Sequence, residues 1–276
     1  MINIQSNIAS LQAQNYLSVN QNALQSSFNK LSSGYRVNSA ADDAAGLAIS
    51  ESMQSQIRSY TVASRNAGDG ISMAQTAEGS LSQVHDILGR MRELAMQASN
   101  GSLGSTDRGY TDTEFKSLQA EIGRIQGSTQ FNGNNLVNST ATTVTFQVGL
   151  NNTANDQIAV TFGGVGLTAL LAATTTLAGT GATAALSSLS VIDAAITKVS
   201  TARSNFGTAM NRLTVATANI NTMSTNLTAA NSRIRDVDVA SETAKMSQEQ
   251  VLTQAGVAVL AQANQIPQMA LTLLRG

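Results

Sequence analysis

A spacing that alternates between three and four residues constrains this chain more than any short motif does. Apolar positions run Ile71, Ala74, Ala77, Leu81, Val84, Leu88, Met91, Ala95 and Ala98, and Asn100 with Gly101 then stops them. Such a heptad seam, preceded by a weaker stretch from Ser55, predicts a helix of about forty residues and about 60 Å. The second half repeats the pattern through Leu189, Ile192, Ile196, Val199, Phe206, Met210, Leu213, Ile220, Leu227 and Ile234, with Arg203, Thr217, Ser224 and Asn231 as polar interruptions. That run predicts a second helix of about 45 residues.

Between the long helices, Phe115, Leu118, Ile122 and Ile125 mark a shorter helix ending at Gly127, and TQFNGNNL supplies turn chemistry. The convincing strand signal comes next. Val144, Phe146 and Val148 alternate with polar residues, as do Ile158, Val160 and Phe162 after NNTANDQ, which predicts one β-hairpin. Both ends carry amphipathic stretches: Ile4, Ile8, Leu11, Leu24, Phe28 and Leu31 at one, Val251, Leu252, Leu260, Ile266 and Leu273 at the other. The sole proline, Pro267, predicts a kink or fray there. The fold class expected is mainly α: a long antiparallel helical rod or coiled-coil-like bundle with one β-hairpin and paired N- and C-terminal helices.

Composition narrows the function. Tryptophan is absent, aromatics are 4%, charged residues 12% and the net charge is -1, so no basic face suits nucleic acid. Without cysteine, disulfides and thiolate metal sites are excluded. His85 is the single histidine, placed on a long helix, and Asp42 and Asp43 are adjacent, so neither forms an acid/base pair; GSLG at 101–104 has no strand before it. We therefore expect no enzyme, cofactor or metal. The uncharged run 157–192 is too diluted by Thr and Gly for a membrane span and reads as a bland insert. The start, MINIQSNIASLQAQN, lacks a signal-peptide pattern, so export is expected by another route.

The terminal segments, each with one apolar stripe, bury too little as an isolated pair to offset an ordering cost of about 1–2 kcal/mol per residue. Self-assembly, with ordering coupled to polymerisation, is the reading they favour. Between them and the long helices lie two breaks: LSSGYRVNSAADDAAGLAIS at 31–50 and residues 235–238. Gly34 and Asn38 let the first change course, and Asp42 and Asp43 are expected to cap the next helix or to answer Arg36.

These stretches carry a resemblance. LSSGYRVNSAADDAAGLAIS, ASRNAGDGISMAQTAEGSL, RMRELAMQASNG, TQFNG and VLTQAGVAVLAQANQIPQMALTLLR occur in an order similar to that of bacterial flagellins, over roughly residues 1–162 and 187–276. The resemblance implies an extracellular structural subunit that polymerises into the flagellar filament and transmits torque for swimming, with a hook-associated junction protein as the alternative. It implies an inner-tube, D0-like domain from 1–45 and 236–276. It also implies a wall, D1-like domain from 46–162 and 187–235, with a short variable surface insert at 163–186. Little or no outer domain is expected, and the Thr-rich surface near 139–185 becomes a candidate for O-glycosylation. The implied partners are further copies of the chain, the flagellar export apparatus, a secretion chaperone, the filament cap and the hook-junction proteins, with no nucleic acid and no membrane insertion. An innate immune receptor is a further implied partner, through Arg90, Leu94 and Glu114, although Gly89 stands where the family has a larger polar residue.

Overall fold

A computed structural model describes residues 6–172, 174–178 and 182–275, the last ten of these by backbone alone. Six helices dominate the described residues: α1 Ile8–Ser33, α2 Ala44–Ala98, α3 Ser105–Ser128, α4 Thr168–Leu171, α5 Thr183–Arg235 and α6 Val239–Arg275. Two compact units emerge, one from 1–57 with 225–276, the other from 58–224. Both long helices exceed expectation. α2 has 55 residues and starts at Ala44, because Asp43 accepts the N–H of Gly46 (2.8 Å) and caps it. The interruption after α1 is thus shorter than the sequence implies, and Leu47 to Ile49 are already helical. α6 is helical through Pro267, where a kink or fray was expected.

In the 58–224 unit, α2 and α5 run antiparallel. Tyr60 meets Met223, Gly70 faces Leu213, Glu78 pairs with Arg203 and Arg92 with Asp193, so partner numbers fall on one helix as they rise on the other. Ala74, Ala77, Leu81, Val84, Leu88, Met91, Ala95 and Ala98 are all buried, as the heptad pattern requires. On α5, Ile192, Val199, Phe206, Leu213 and Ile220 are buried at seven-residue steps, while Leu189, Ile196 and Met210 are partly covered. Gly70 has a reason to lack a side chain, since a Cβ there would stand 3.1 Å from both Leu213 and Phe146. The polar interruptions have partners too: both guanidinium contacts of Arg203 reach Glu78 (3.0 and 2.7 Å), and the Thr217 hydroxyl bonds back to Leu213 O.

The strand content is larger than one hairpin. β3 Thr142–Gln147 and β4 Gln157–Phe162 pair antiparallel as expected. TQFNG adds a second, short ladder, β1 Gln130–Phe131 with β2 Asn134–Asn135, because Asn132 (φ 49) and Gly133 (φ 81) form the left-handed pair that a two-residue hairpin needs.

The segment 163–186 is the main correction. It holds α4 and the start of α5, and Val165, Leu167, Leu170, Leu177 and Ala185 are buried in the same core as α2, α3 and α5. Through these five residues its described part packs into this unit, and Thr175 is buried with them, while Thr168, Thr174, Thr183 and Leu186 stay exposed, as do Thr142, Thr143, Thr145 and Thr161 on the hairpin. Low charge here reflects burial. Among the described residues no helix is long and apolar enough to cross a membrane.

Gly163 opens this segment with φ +71, and a Cβ on it would lie 2.2 Å from Thr140 O. Gly163→Ala should therefore cost about 2 kcal/mol or more in urea unfolding, from strain and displaced backbone. Gly89 on α2 faces open space, so Gly89→Ala should stabilise by up to about 1 kcal/mol.

Candidate assembly surfaces

The unit formed by the chain ends pairs α1 with α6 antiparallel. Asn7 caps α1 by accepting the Ser10 N–H (3.1 Å) and donates its amide to Ala263 O (2.8 Å); the Ser10 hydroxyl bonds Asn264 (2.8 Å). Further along, Leu17 lies over Gly256, and Val237 N–H reaches Gly34 O (3.0 Å). What this pair buries is small or polar: Ser10, Ala13, Ser27, Glu249 and Ala263. The large apolar residues face outward. Ile8, Leu11, Tyr16, Val19 and Phe28 on α1, and Val251, Leu252, Val257 and Val259 on α6, are exposed, Phe28 at 60% and Tyr16 at 70%. Leu24, Leu31 and Leu260 are half-buried. Ile4 and the side chains of Ile266 and Leu273 lie outside the described residues. A pair so arranged has its apolar surface free for further helices.

The connections beside this pair are tied to each other. Gly34 ends α1 in the left-handed region (φ 75) with its N–H on Lys30 O, and Tyr35 forms an antiparallel bridge with Asp236. The guanidinium of Arg235 stands 4.3 Å over the Tyr35 ring. Arg36 donates its N–H to Arg235 O (2.6 Å) and its guanidinium to Ile234 O (2.6 Å). Within the chain neither Asp42 nor Asp43 answers Arg36, because carbonyls at the end of α5 do. Asp42 instead accepts Ser39 N–H, the Ser39 hydroxyl and Asn38 N–H, and these bonds, the Ser39 N–H foremost, hold its carboxyl below the usual aspartate value. Asn231, a polar break in the α5 seam, binds Ser50 (2.7 Å) and Gln54 (3.1 Å) on α2.

On the other unit, Arg90 bridges Glu114 (2.9 Å) and Glu93 (3.0 Å), with Arg90 and Glu114 about half exposed at 50% and 46%. Gly89 beside them is exposed. Leu94 is not on that face: it is 2% exposed, in the core. Leu94→Ala should lower stability by about 2–5 kcal/mol, measurable by thermal or urea unfolding. His85 is half-buried on α2.

One polar stripe carries contacts that periodicity does not announce. Asp112, Gln119 and Gln126 follow each other at seven-residue steps on α3, and each binds main chain of the 136–177 region. Asp112 accepts Leu177 N–H and the Thr176 hydroxyl (both 2.7 Å); Gln119 donates to Leu170 O and to Ala172 O (3.3 Å); Gln126 donates to Val137 O (3.3 Å) and Val165 O (3.2 Å). Nearby, buried Arg108 donates to Ala98 O (2.9 Å), a free carbonyl at the end of α2, and to Asn100 O (3.1 Å) in the loop that follows. The heptad spacing of polar residues was the available signal; it reads as a solvated face until the segment that covers it is placed.

Burial alone would raise the pKa of Asp112. Lys116 (2.7 Å), Thr176 and Leu177 N–H together outweigh it, and the carboxyl titrates below its ordinary 3.8. A carboxyl lowered on folding adds stability above its unfolded value and loses it as pH falls through the folded one. Asp112→Ala should cost about 1–3 kcal/mol at neutral pH. It should also flatten the decline of stability below about pH 5, read by urea midpoints across pH.

Comparison with known proteins agrees with this architecture. Residues 4–142 match the bacterial flagellin N-terminal helical region, and residues 189–274 the bacterial flagellin C-terminal helical region. The chain is 46% identical to a flagellin of Halalkalibacterium halodurans over 272 residues, 99% of either chain. It is 42% identical to a flagellin of Bacillus subtilis over 304 aligned positions, again 99% of each. A solved structure described as a putative flagellar hook-associated protein from Vibrio parahaemolyticus covers 71% of this chain and all of its own at TM-score 0.55, with 19% identity, which shows a shared fold alone. Two matched regions that together exceed half of the chain, and relatives matched end to end, place this protein in the bacterial flagellin family.

Proposed function

We propose that this chain polymerises through its terminal helices into the flagellar filament and there passes motor torque along a rigid helical tube for swimming. Family membership makes it a filament structural subunit. The observation that carries the finer reading is the inverted packing of α1 on α6, with Ser10, Ala13, Ser27 and Ala263 inside and Leu11, Phe28, Leu252 and Val259 outside. That surface costs free energy in a lone subunit and is covered when neighbouring copies supply helices. Within the unit of the chain ends, the connections are tied to each other at Tyr35–Asp236.

Export through the flagellar secretion channel with a chaperone, growth beneath a filament cap and attachment through hook-junction proteins belong to the same reading. An innate immune receptor of a host would meet Arg90 and Glu114 on the exposed α2–α3 face. A junction role shares the terminal logic but stops after a limited number of copies.

Seeded growth separates these readings. Purified protein added to sheared filament fragments should extend them into long tubes under electron microscopy. Leu11→Ser combined with Phe28→Ser should abolish extension while leaving the unfolding transition of the 58–224 unit unchanged. Protein that only caps the fragments would assign the junction role, and tubes formed equally well by the double variant would remove the terminal stripe from assembly.

A further inference from the structure

Strand β4 has a neighbour along one edge only among the described residues. In the β3–β4 register, Val148 N–H donates to Asp156 O (2.8 Å), so Phe146–Ile158, Val144–Val160 and Thr142–Phe162 are the hydrogen-bonded pairs. The alternate residues Gln157, Ala159 and Thr161 consequently turn their N–H and C=O groups away from β3. On the corresponding edge of β3, the Asn66 amide donates to Gln147 O (3.1 Å) at the strand's end. Among the described residues no main-chain hydrogen bond occupies the outward edge of β4.

Space lies beside that edge. Three cavities follow one another between β4 and α5: one of about 370 Å³ bordered by Thr161, one of about 230 Å³ by Ala159 and Thr161, and one of about 530 Å³ by Gln157. All three residues with outward main-chain groups line them, together with Ile158 and Val160. Across the gap, Arg212 borders two of the three cavities, is exposed, and enters no ion pair among the described residues. Lys198 borders the first, and no carboxylate lines any of them.

We propose that this edge docks an extended, acidic peptide segment of a partner protein, added beside β4 as a third strand with carboxylates turned to Arg212 and Lys198. Main-chain bonds to Gln157, Ala159 and Thr161 would supply the pairing, over about five residues at roughly 3.4 Å each, and the two cations the selectivity. A second copy of this chain fits less well. At its β3 edge the Gln147 carbonyl is already taken by Asn66, and two β4 edges brought together by a two-fold axis would oppose one Arg212 with the other.

The test uses the full chain as monomer and a fluorescein-labelled octapeptide of alternating Thr and Glu, followed by fluorescence polarisation. Binding is expected, with at least a tenfold loss on Arg212→Glu and on Ala159→Pro. The latter removes an outward N–H and leaves the hairpin bonds in place. N-methylation of every second peptide residue should abolish binding without any change to the protein, so the result stands even where the proline variant misfolds. The matching Thr–Lys peptide should not bind. Absence of binding, or binding indifferent to N-methylation, overturns the proposal. So does a chain that ignores the peptide but loses self-association with Ala159→Pro, which would put a second copy in the groove.

Discussion

The seam between α2 and α5 is the constraint on which the 58–224 unit depends. Alanine at 74, 77, 95 and 98 lets the helices approach closely, and Leu81, Val84, Leu88 and Met91 fill the centre against Ile192, Val199 and Phe206. A seam made of small side chains has little tolerance for slippage. The Arg203–Glu78 pair fits that need: at 33% exposure on each side it contributes little net energy, but a shift along the helices would leave both charges half-covered without a partner. Gly70 acts in the opposite sense, by admitting Phe146 and Leu213 to one spot and so joining the hairpin to the seam.

The unit of the chain ends follows another rule. Between α1 and α6 the buried residues are small or polar, while Ile8, Leu11, Tyr16, Val19 and Phe28 on one helix and Val251, Leu252, Val257 and Val259 on the other point to solvent. In a protein that works as a monomer this would be a liability for aggregation; under the function proposed here it would act as the adhesive. On that proposal assembly would be cooperative, since the apolar gain comes only when neighbours arrive, while polar contacts such as Asn7 with Ala263 set the α1–α6 register within the subunit.

Periodicity made the helices, their antiparallel pairing and the β3–β4 hairpin legible, because a three–four alternation and a period of two are direct consequences of backbone geometry. The helices of both chain ends were legible for the same reason. Boundaries were less so: the start of α2 depends on Asp43 folding over Gly46, and a single cap carries no periodic signal. Leu94 illustrates another limit. It lies in the stretch RMRELAMQ beside exposed Arg90, yet only its position relative to α3 and α5 decides that it is core.

Residue type and spacing alone dictate a mainly helical, cysteine-free, sparsely charged chain whose ends present apolar stripes. That Val165, Leu167, Leu170, Leu177 and Ala185 belong to the core emerges only from the folded arrangement. These apolar residues lack a helical or strand period, and the polar groups that hold their segment, Asp112, Gln119 and Gln126, grip main chain from a helix some forty to sixty residues earlier. The same holds for Arg36, which binds carbonyls at Ile234 and Arg235 rather than the nearby aspartates. Contacts made to backbone groups leave no complementary residue type in the sequence to read, so they become visible only once the chain has folded.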